Sequence, residues 1–476
     1  MFNFSLPKNW GARLLPMAGA LVLAGCSTLA PEYSRSDLPV AETWDNAPLE
    51  QTQGVSEQRA DEVSWKSFIK DQRLSQVIEL ALNSNRSLRQ TLADVEAARA
   101  TYRIQDADLY PTINAGLSGN RTKSSSGTIS TIYQGEAGLS GYEIDLFGKN
   151  RSLSEVQMEA YLSTQETAKA AKISLIGEIS NAWLTLAADK NQLKLAKETA
   201  SNAEQAMEIT NKRLEMGIDS KIDVASAETI YYNARSDIAR YTTQVNQDIN
   251  ALRLLVGEQV DESLLPDLLP TSDSLVADVP AGLSSSLLLE RPDVLAAEHT
   301  LKSANANIGV ARAAFFPSLS LTATGGLASS VLADIFSGGA SSIWTLAPSI
   351  TLPIFDGGAN DATLAYNEAQ QQKYLAAYEY TIQSAFSEVA DALARRATIQ
   401  AQLNSEKSLV LAATRSYVLS VARYKGGIDN FQRVLEAQRT MYQANQSLIS
   451  TKQTDLQNRI TLYRVLGGGL AEEKAS

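Results

Sequence analysis

The sequence holds one histidine, His299, and one cysteine, Cys26. A His/Cys metal cluster or an intrachain disulfide cannot be built from them. A nucleophile backed by an imidazole could be assembled only around His299, which falls within a helical pattern over 294–308. Packing is the ordinary role for such a residue. Carboxylates and guanidiniums remain, and they recur in two segments that read alike. One is Arg213-Leu214-Glu215-Met216-Gly217-Ile218-Asp219, the other Arg423-Tyr424-Lys425-Gly426-Gly427-Ile428-Asp429. Neither forms a catalytic constellation, so no enzyme is expected.

Each segment must be the tip of a long helical hairpin. A helical stretch precedes it, glycine turns the chain, and a second helix runs on to Gly257 or to Gly467, Gly468 and Gly469 as C-caps. One offset separates Arg213 from Arg423, Gly217 from Gly427 and Gly257 from Gly467, so the chain is internally duplicated. The first arm, over 151–214, is on the order of 95 Å long at the helical rise. Along it Ile176, Ile179, Trp183 and Leu186, then Leu193, Ala196, Ala200, Ala203, Met207, Thr210 and Leu214 alternate in spacings of three and four. That is a coiled-coil seam. Ile382, Phe386, Val389 and Leu393 continue it in the second half.

Before each hairpin the period changes to two. Ile113, Ala115 and Leu117 alternate with Asn114, Gly116 and Ser118; Tyr133, Ala137 and Leu139 alternate with Gln134, Glu136 and Ser140. The second repeat offers Leu319, Leu321 and Ala323, then Trp344, Leu346 and Ile350. These runs have the length of a tilted transmembrane strand and carry aromatics at their ends: Tyr110, Phe147, Phe315, Phe316, Trp344 and Phe355. Four strands cannot close a barrel or hide their edges in lipid. Several copies must share one, and three copies would supply twelve strands.

Lys8 and Arg13 precede a short apolar run over 14–23 that ends in Leu23-Ala24-Gly25-Cys26, the pattern of a secretory signal too short to span a bilayer. The tetrapeptide resembles a bacterial lipobox, which implies cleavage before Cys26 and acylation of that residue; Ser27 at the next position implies sorting to the outer membrane. The net charge of −11 and the lack of a basic stripe argue against a nucleic-acid partner.

Together with Val434-Leu435-Glu436-Ala437-Gln438-Arg439 and the closing Leu466-Gly467-Gly468-Gly469, these features resemble the outer-membrane factor family. These are the TolC-like channels, here of the OprM-like (NodT-type) lipoprotein branch. The resemblance implies a mainly α fold with a transmembrane β-barrel, built from a duplicated strand–strand–long-helical-hairpin unit. It also implies a homotrimer whose twelve-stranded barrel continues as a periplasmic α-helical barrel. The expected divisions are a signal peptide over 1–25, an acylated tether over 26–63 and a first repeat over 64–257, with strands at about 111–142 and the hairpin at about 151–257. A linker or equatorial region follows over 258–290. The second repeat covers 291–469, with strands at about 317–352 and the hairpin at about 358–467, and a tail covers 470–476.

By the same resemblance the protein is a passive outer-membrane conduit for small molecules, working with a periplasmic adaptor and an inner-membrane RND-type transporter. It needs no cofactor beyond the lipid on Cys26. The second tip supplies gate candidates Tyr424, Asp429, Gln432, Glu436 and Arg439, with Arg439 as a partner for Glu436. Gln432 stands where a leucine often forms an apolar constriction, which argues against a hydrophobic gate there. Asp429 could instead cap the returning helix. Arg213, Leu214, Gly217, Arg423 and Gly427 are the adaptor-contact candidates. Conduits for heavy-metal efflux or type I protein secretion are alternatives within the channel class. A non-channel periplasmic lipoprotein is the alternative outside it, and it would leave the amphipathic strands unexplained.

Overall fold

The computed structural model describes residues 28–35, 38–44, 63–277 and 285–468. Cys26, the signal sequence, most of the tether, Gly469 and the tail lie outside the described residues. Helices α1 (Gln72–Ser84) and α2 (Arg86–Ala107) lead into strands β1 (Ile113–Lys123) and β2 (Ile129–Ile144), then helices α3 (Lys149–Glu215) and α4 (Lys221–Val256). The grammar repeats as α5 (Pro292–Ala313), β3 (Ser318–Ser329), β4 (Ser341–Thr351), α6 (Ala359–Lys425) and α7 (Phe431–Val465). Helices α3 and α6 each run 67 residues, about 100 Å of helix. Both start behind an aspartate that caps the first turn. Arg151 N donates to Asp145 Oδ2 at 3.0 Å, and Asn360 N donates to Asp356 Oδ2 at 2.8 Å.

The chain forms two compact units. The first, among the described residues, comprises 28–35, 94–165 and 296–379, and contains one antiparallel sheet in the order β1-β2-β3-β4. The register gathers most of the large apolar residues of the four strands on one face. Ala115 lies across from Ala137, Ala137 from Gly325 and Gly325 from Trp344; Leu139, Ala323 and Leu346 form the next row. The other face carries Asn114, Gly138, Thr324 and Thr345, then Gly116, Glu136, Gly326 and Ile343. A bulge between Leu139 and Tyr142 inserts one residue, with Gly141 at φ 67°, and so keeps Tyr142 and Ile144 on the apolar face beside Leu321 and Leu319. Among the described residues only the short helix Asp334–Ser337 packs on the apolar face, with Ile335 over Gly135, and Trp344 is left 79% exposed.

The stretch expected to be a plain tether makes specific contacts over 28–35. It runs along α5: Arg312 Nη1 donates to Leu29 O at 3.3 Å, Asn305 Nδ2 to Pro31 O at 2.7 Å, and Arg35 bonds both oxygens of Glu298 at 3.1 and 2.5 Å. The reason is Glu298, whose side chain is only 3% exposed. A buried carboxylate needs partners, and Arg35, the Tyr33 hydroxyl and Lys302 supply them. His299 pairs with Glu159 at 2.6 Å, joining α5 to α3.

The second unit, among the described residues, comprises 38–44, 63–93, 166–277, 285–295 and 380–468. The expected seam is its core: Ile176, Ile179, Trp183, Leu186, Ala196, Ala200 and Ala203 are buried, as are Ile382, Val389 and Leu393. The Trp183 indole donates to Leu264 O, and Phe68 stacks on Tyr463 at 3.9 Å. Arg291 bonds Val465 O, Asp293 and Glu388, tying the start of α5 to α6 and α7. Between α3 and α4, burial and then the neighbouring Asp189 push the Asp248 carboxyl up to about 7.

Arg35→Ala should leave Glu298 short of a partner and cost about 1–3 kcal/mol, read as a lower unfolding midpoint with faster hydrogen exchange over 28–35. Burial raises the Glu298 pKa, but the Arg35 bond and Lys302 outweigh it and the net shift is downward. This contribution is therefore present above the ordinary carboxylate range and is lost as pH falls through the lowered value. Asp248 has the opposite sign. Its raised pKa means stability declines as pH rises from about 4 to about 7, and Asp248→Asn should flatten that slope in a denaturation series.

Candidate functional site

The two tips have the same backbone. Ile218 N donates to Arg213 O at 2.8 Å and Ile428 N to Arg423 O at 2.9 Å, with Gly217 and Gly427 both at φ 70°. That left-handed region favours glycine. Beyond the first turn, Ser220 and Asp223 form a capping box on α4. At the second, Asn430 occupies the N-cap position of α7 without a side-chain cap bond. Asp429 does not cap either, because Arg423 takes both its oxygens at 2.6 and 3.0 Å. This fork, led by the Arg423 hydrogen bond, holds the Asp429 carboxyl below its usual range.

The tips differ in where their aspartates lie. Asp219 is 7% exposed and Asp429 27% exposed. Arg213 Nε donates to Asp219 Oδ2 at 3.0 Å, the Tyr424 hydroxyl donates to the same oxygen, and the Arg213 guanidinium lies 4.6 Å from the Tyr424 ring centre. Tyr424 thus leaves the exposed surface and pins one hairpin to the other. Burial, then the bond to Asp219, raises its pKa. Behind the pin, Tyr424 packs with Phe431, Val434, Leu435, Ala203, Ala227 and Ile230.

The five gate candidates therefore divide. Tyr424 is buried at 5% exposure, whereas Gln432, Glu436 and Arg439 share one exposed face of α7. The expected Glu436–Arg439 pairing is replaced: Gln432 donates to Glu436 at 3.4 Å and Arg433 lies 3.9 Å from it. Of the adaptor candidates, Leu214 is half-buried while Gly217, Arg423 and Gly427 are exposed. Met216, Ile218, Ile222 and Ile428 are more than half exposed beside them. Sequence reasoning passed over these apolar residues and Asp219, although Asp219 repeats Asp429 in the duplicated motif.

A second bridge of the same chemistry joins α4 to α7. The Tyr442 hydroxyl donates to Asp237 at 2.7 Å, Arg240 donates to the same carboxylate at 2.7 Å, and Gln446 Nε2 donates to the Tyr241 hydroxyl at 3.2 Å. Each tyrosine follows its aspartate by 205 residues, as Tyr424 follows Asp219.

Among the described residues no helix is long and apolar enough to cross a membrane, and no group of three or more His, Cys, Asp or Glu could hold a metal ion. The one-sided sheet feeding two long hairpins defines instead a channel-forming protein of the outer membrane. The profile of the outer membrane efflux protein family matches residues 77–258 and 283–468, one segment per repeat, and the chain belongs to that family. It is 41% identical over 461 residues to the probable efflux pump outer membrane protein TtgC of Pseudomonas putida, covering 95% of each chain. It is 40% identical to the outer membrane protein OprJ of Pseudomonas aeruginosa, covering 96% of this chain and 95% of that one. The open-state MtrE outer membrane channel of Neisseria gonorrhoeae superposes with a TM-score of 0.85 at 36% identity, over 93% of this chain and 99% of that one. The protein is an outer-membrane channel component of an efflux pump, with the TolC-like fold.

Asp219→Ala should strip Arg213 and Tyr424 of their shared partner and cost about 1–3 kcal/mol. Asp429→Ala, at the more exposed pair, should cost clearly less. Hydrogen exchange of tip peptides in the two variants measures the difference.

Proposed function

We propose that three copies of this chain form a passive, gated conduit that exports small molecules through the periplasm and outer membrane. In this reading it catalyses nothing, and its partners are a periplasmic adaptor and an RND-type inner-membrane transporter. The observation that carries the proposal is the four-stranded sheet, with a largely uncovered apolar face and unpaired edges at β1 and β4. In lipid those edges need strand partners, and two further copies provide them with twelve strands in all. The signal sequence argues that Cys26 is lipidated and the protein anchored in the outer membrane.

The resting mouth is held by the tip bonds. Asp219, Arg213 and Tyr424 tie the two hairpins of one chain together, and three-fold symmetry repeats Asp429 and Glu436 as carboxylate rings that attract cations. Gln432 gives its ring a polar rather than an apolar lining. The exposed Met216, Ile218, Ile222 and Ile428, with Arg213, Leu214, Gly217, Arg423 and Gly427, form the surface that meets the adaptor. An apolar patch of this kind at a tip favours a protein partner over water.

Single-channel conductance in planar bilayers tests the gate. Wild type should give small, cation-selective steps, and Asp219→Ala with Asp429→Ala should enlarge them severalfold. Unchanged steps would move the gate elsewhere, and no steps from assembled protein would end the conduit reading. Because its pKa is lowered, the Asp429 contribution should hold from neutral pH down to about 4 and weaken only below that. Gly217→Val should abolish drug resistance in cells while leaving trimers intact, since the site has room for a side chain but not the backbone conformation; normal resistance would remove this tip from the docking surface.

A further inference from the structure

The ordered strap over 28–35 ends beside a cavity. A Cβ at Gly148 would lie 2.7 Å from Thr28 Cα, and Arg312 bonds Leu29 O. The neighbours of those two contact residues, Phe147 and Lys149 on one side and Ala313 and Ala314 on the other, line a cavity of about 340 Å³. Leu146 and Ile144 complete its apolar wall, and Phe147 stacks on Phe316 with ring centres 4.6 Å apart. Lys149, paired with Glu143 at 3.2 Å, stands at its polar side. The cavity thus opens where β2 ends and β3 begins, at the margin of the sheet's apolar face.

Cys26 stands two residues before Thr28, and two residues reach at most about 7 Å. The strap is fixed along α5 in one direction, by Arg35 and Tyr33 on Glu298, Asn305 on Pro31 and Arg312 on Leu29. The strap therefore starts, at Thr28, beside this end of α5. We propose that the cavity seats a saturated acyl chain carried by Cys26 itself, laid against Phe147 and Phe316. The proposal rests on the lipidation reading above. Its consequence is that the anchor also locks the strap against the sheet, instead of serving as a free tether in the membrane.

Cells expressing the full chain would be fed a diazirine-bearing palmitic acid, and the purified protein irradiated, digested and sequenced by mass spectrometry. The expected product joins the Cys26 peptide, through its lipid, to peptides covering 144–149 or 313–317. Phe316→Ser should lose that product while its unfolding midpoint confirms that the protein is folded. Lipidated Cys26 with adducts only elsewhere would overturn the docking alone. Adducts at the cavity that persist in Cys26→Ser, exported by a plain secretory signal, would assign the cavity to bulk phospholipid and also overturn it. An intact mass showing unmodified Cys26 would remove the lipidation reading and the proposal with it.

Discussion

An unpaired strand edge cannot be left in hydrocarbon. Each bare N–H or C=O there forfeits a hydrogen bond that no water can replace. Strands β1 and β4 have one neighbour each, and the sheet's apolar face is largely uncovered among the described residues. Everything else in the chain is consistent with a protomer that completes this sheet by assembly. The bulge at Gly141 holds Tyr142 and Ile144 on the apolar face to the strand end, so the pattern does not break at the end of β2.

The helices solve a different problem. Alanine along the seam brings backbones close, and the second unit buries Trp183 on α3 and, near the tips, a cluster around Tyr424 and Phe431. Polar bridges then fix how the hairpins meet. Asp219 with Tyr424, and Asp237 with Tyr442, join them at two levels with the same chemistry: a carboxylate shared by a tyrosine hydroxyl and an arginine. Such bonds are strong while water is kept out and weaken when it enters.

Most of the architecture was legible in the sequence because each part follows a simple period. Two-residue alternation marked the strands, three-and-four spacing marked the seam, and glycine positions marked the tips. The site was less legible. Tyr424, Gln432 and Glu436 stand close together in sequence, yet Tyr424 turns into the core and the other two remain on the exposed face. Asp429 reads as a cap but pairs with Arg423, since a guanidinium fork outcompetes the backbone amides for both oxygens. The contacts of residues 28–35 had no period to reveal them.

The sequence by itself determined the duplication, the strand and helix periods and the paired tips, because these depend only on local spacing. Tertiary structure alone decided which aspartate is buried, which tyrosine pins the hairpins, and where the strap leads. Those outcomes depend on pairs of residues far apart in the chain, such as Asp219 with Tyr424 and Arg35 with Glu298. No local pattern records a contact between residues more than two hundred positions apart, and only the packed chain brings their charges into one place.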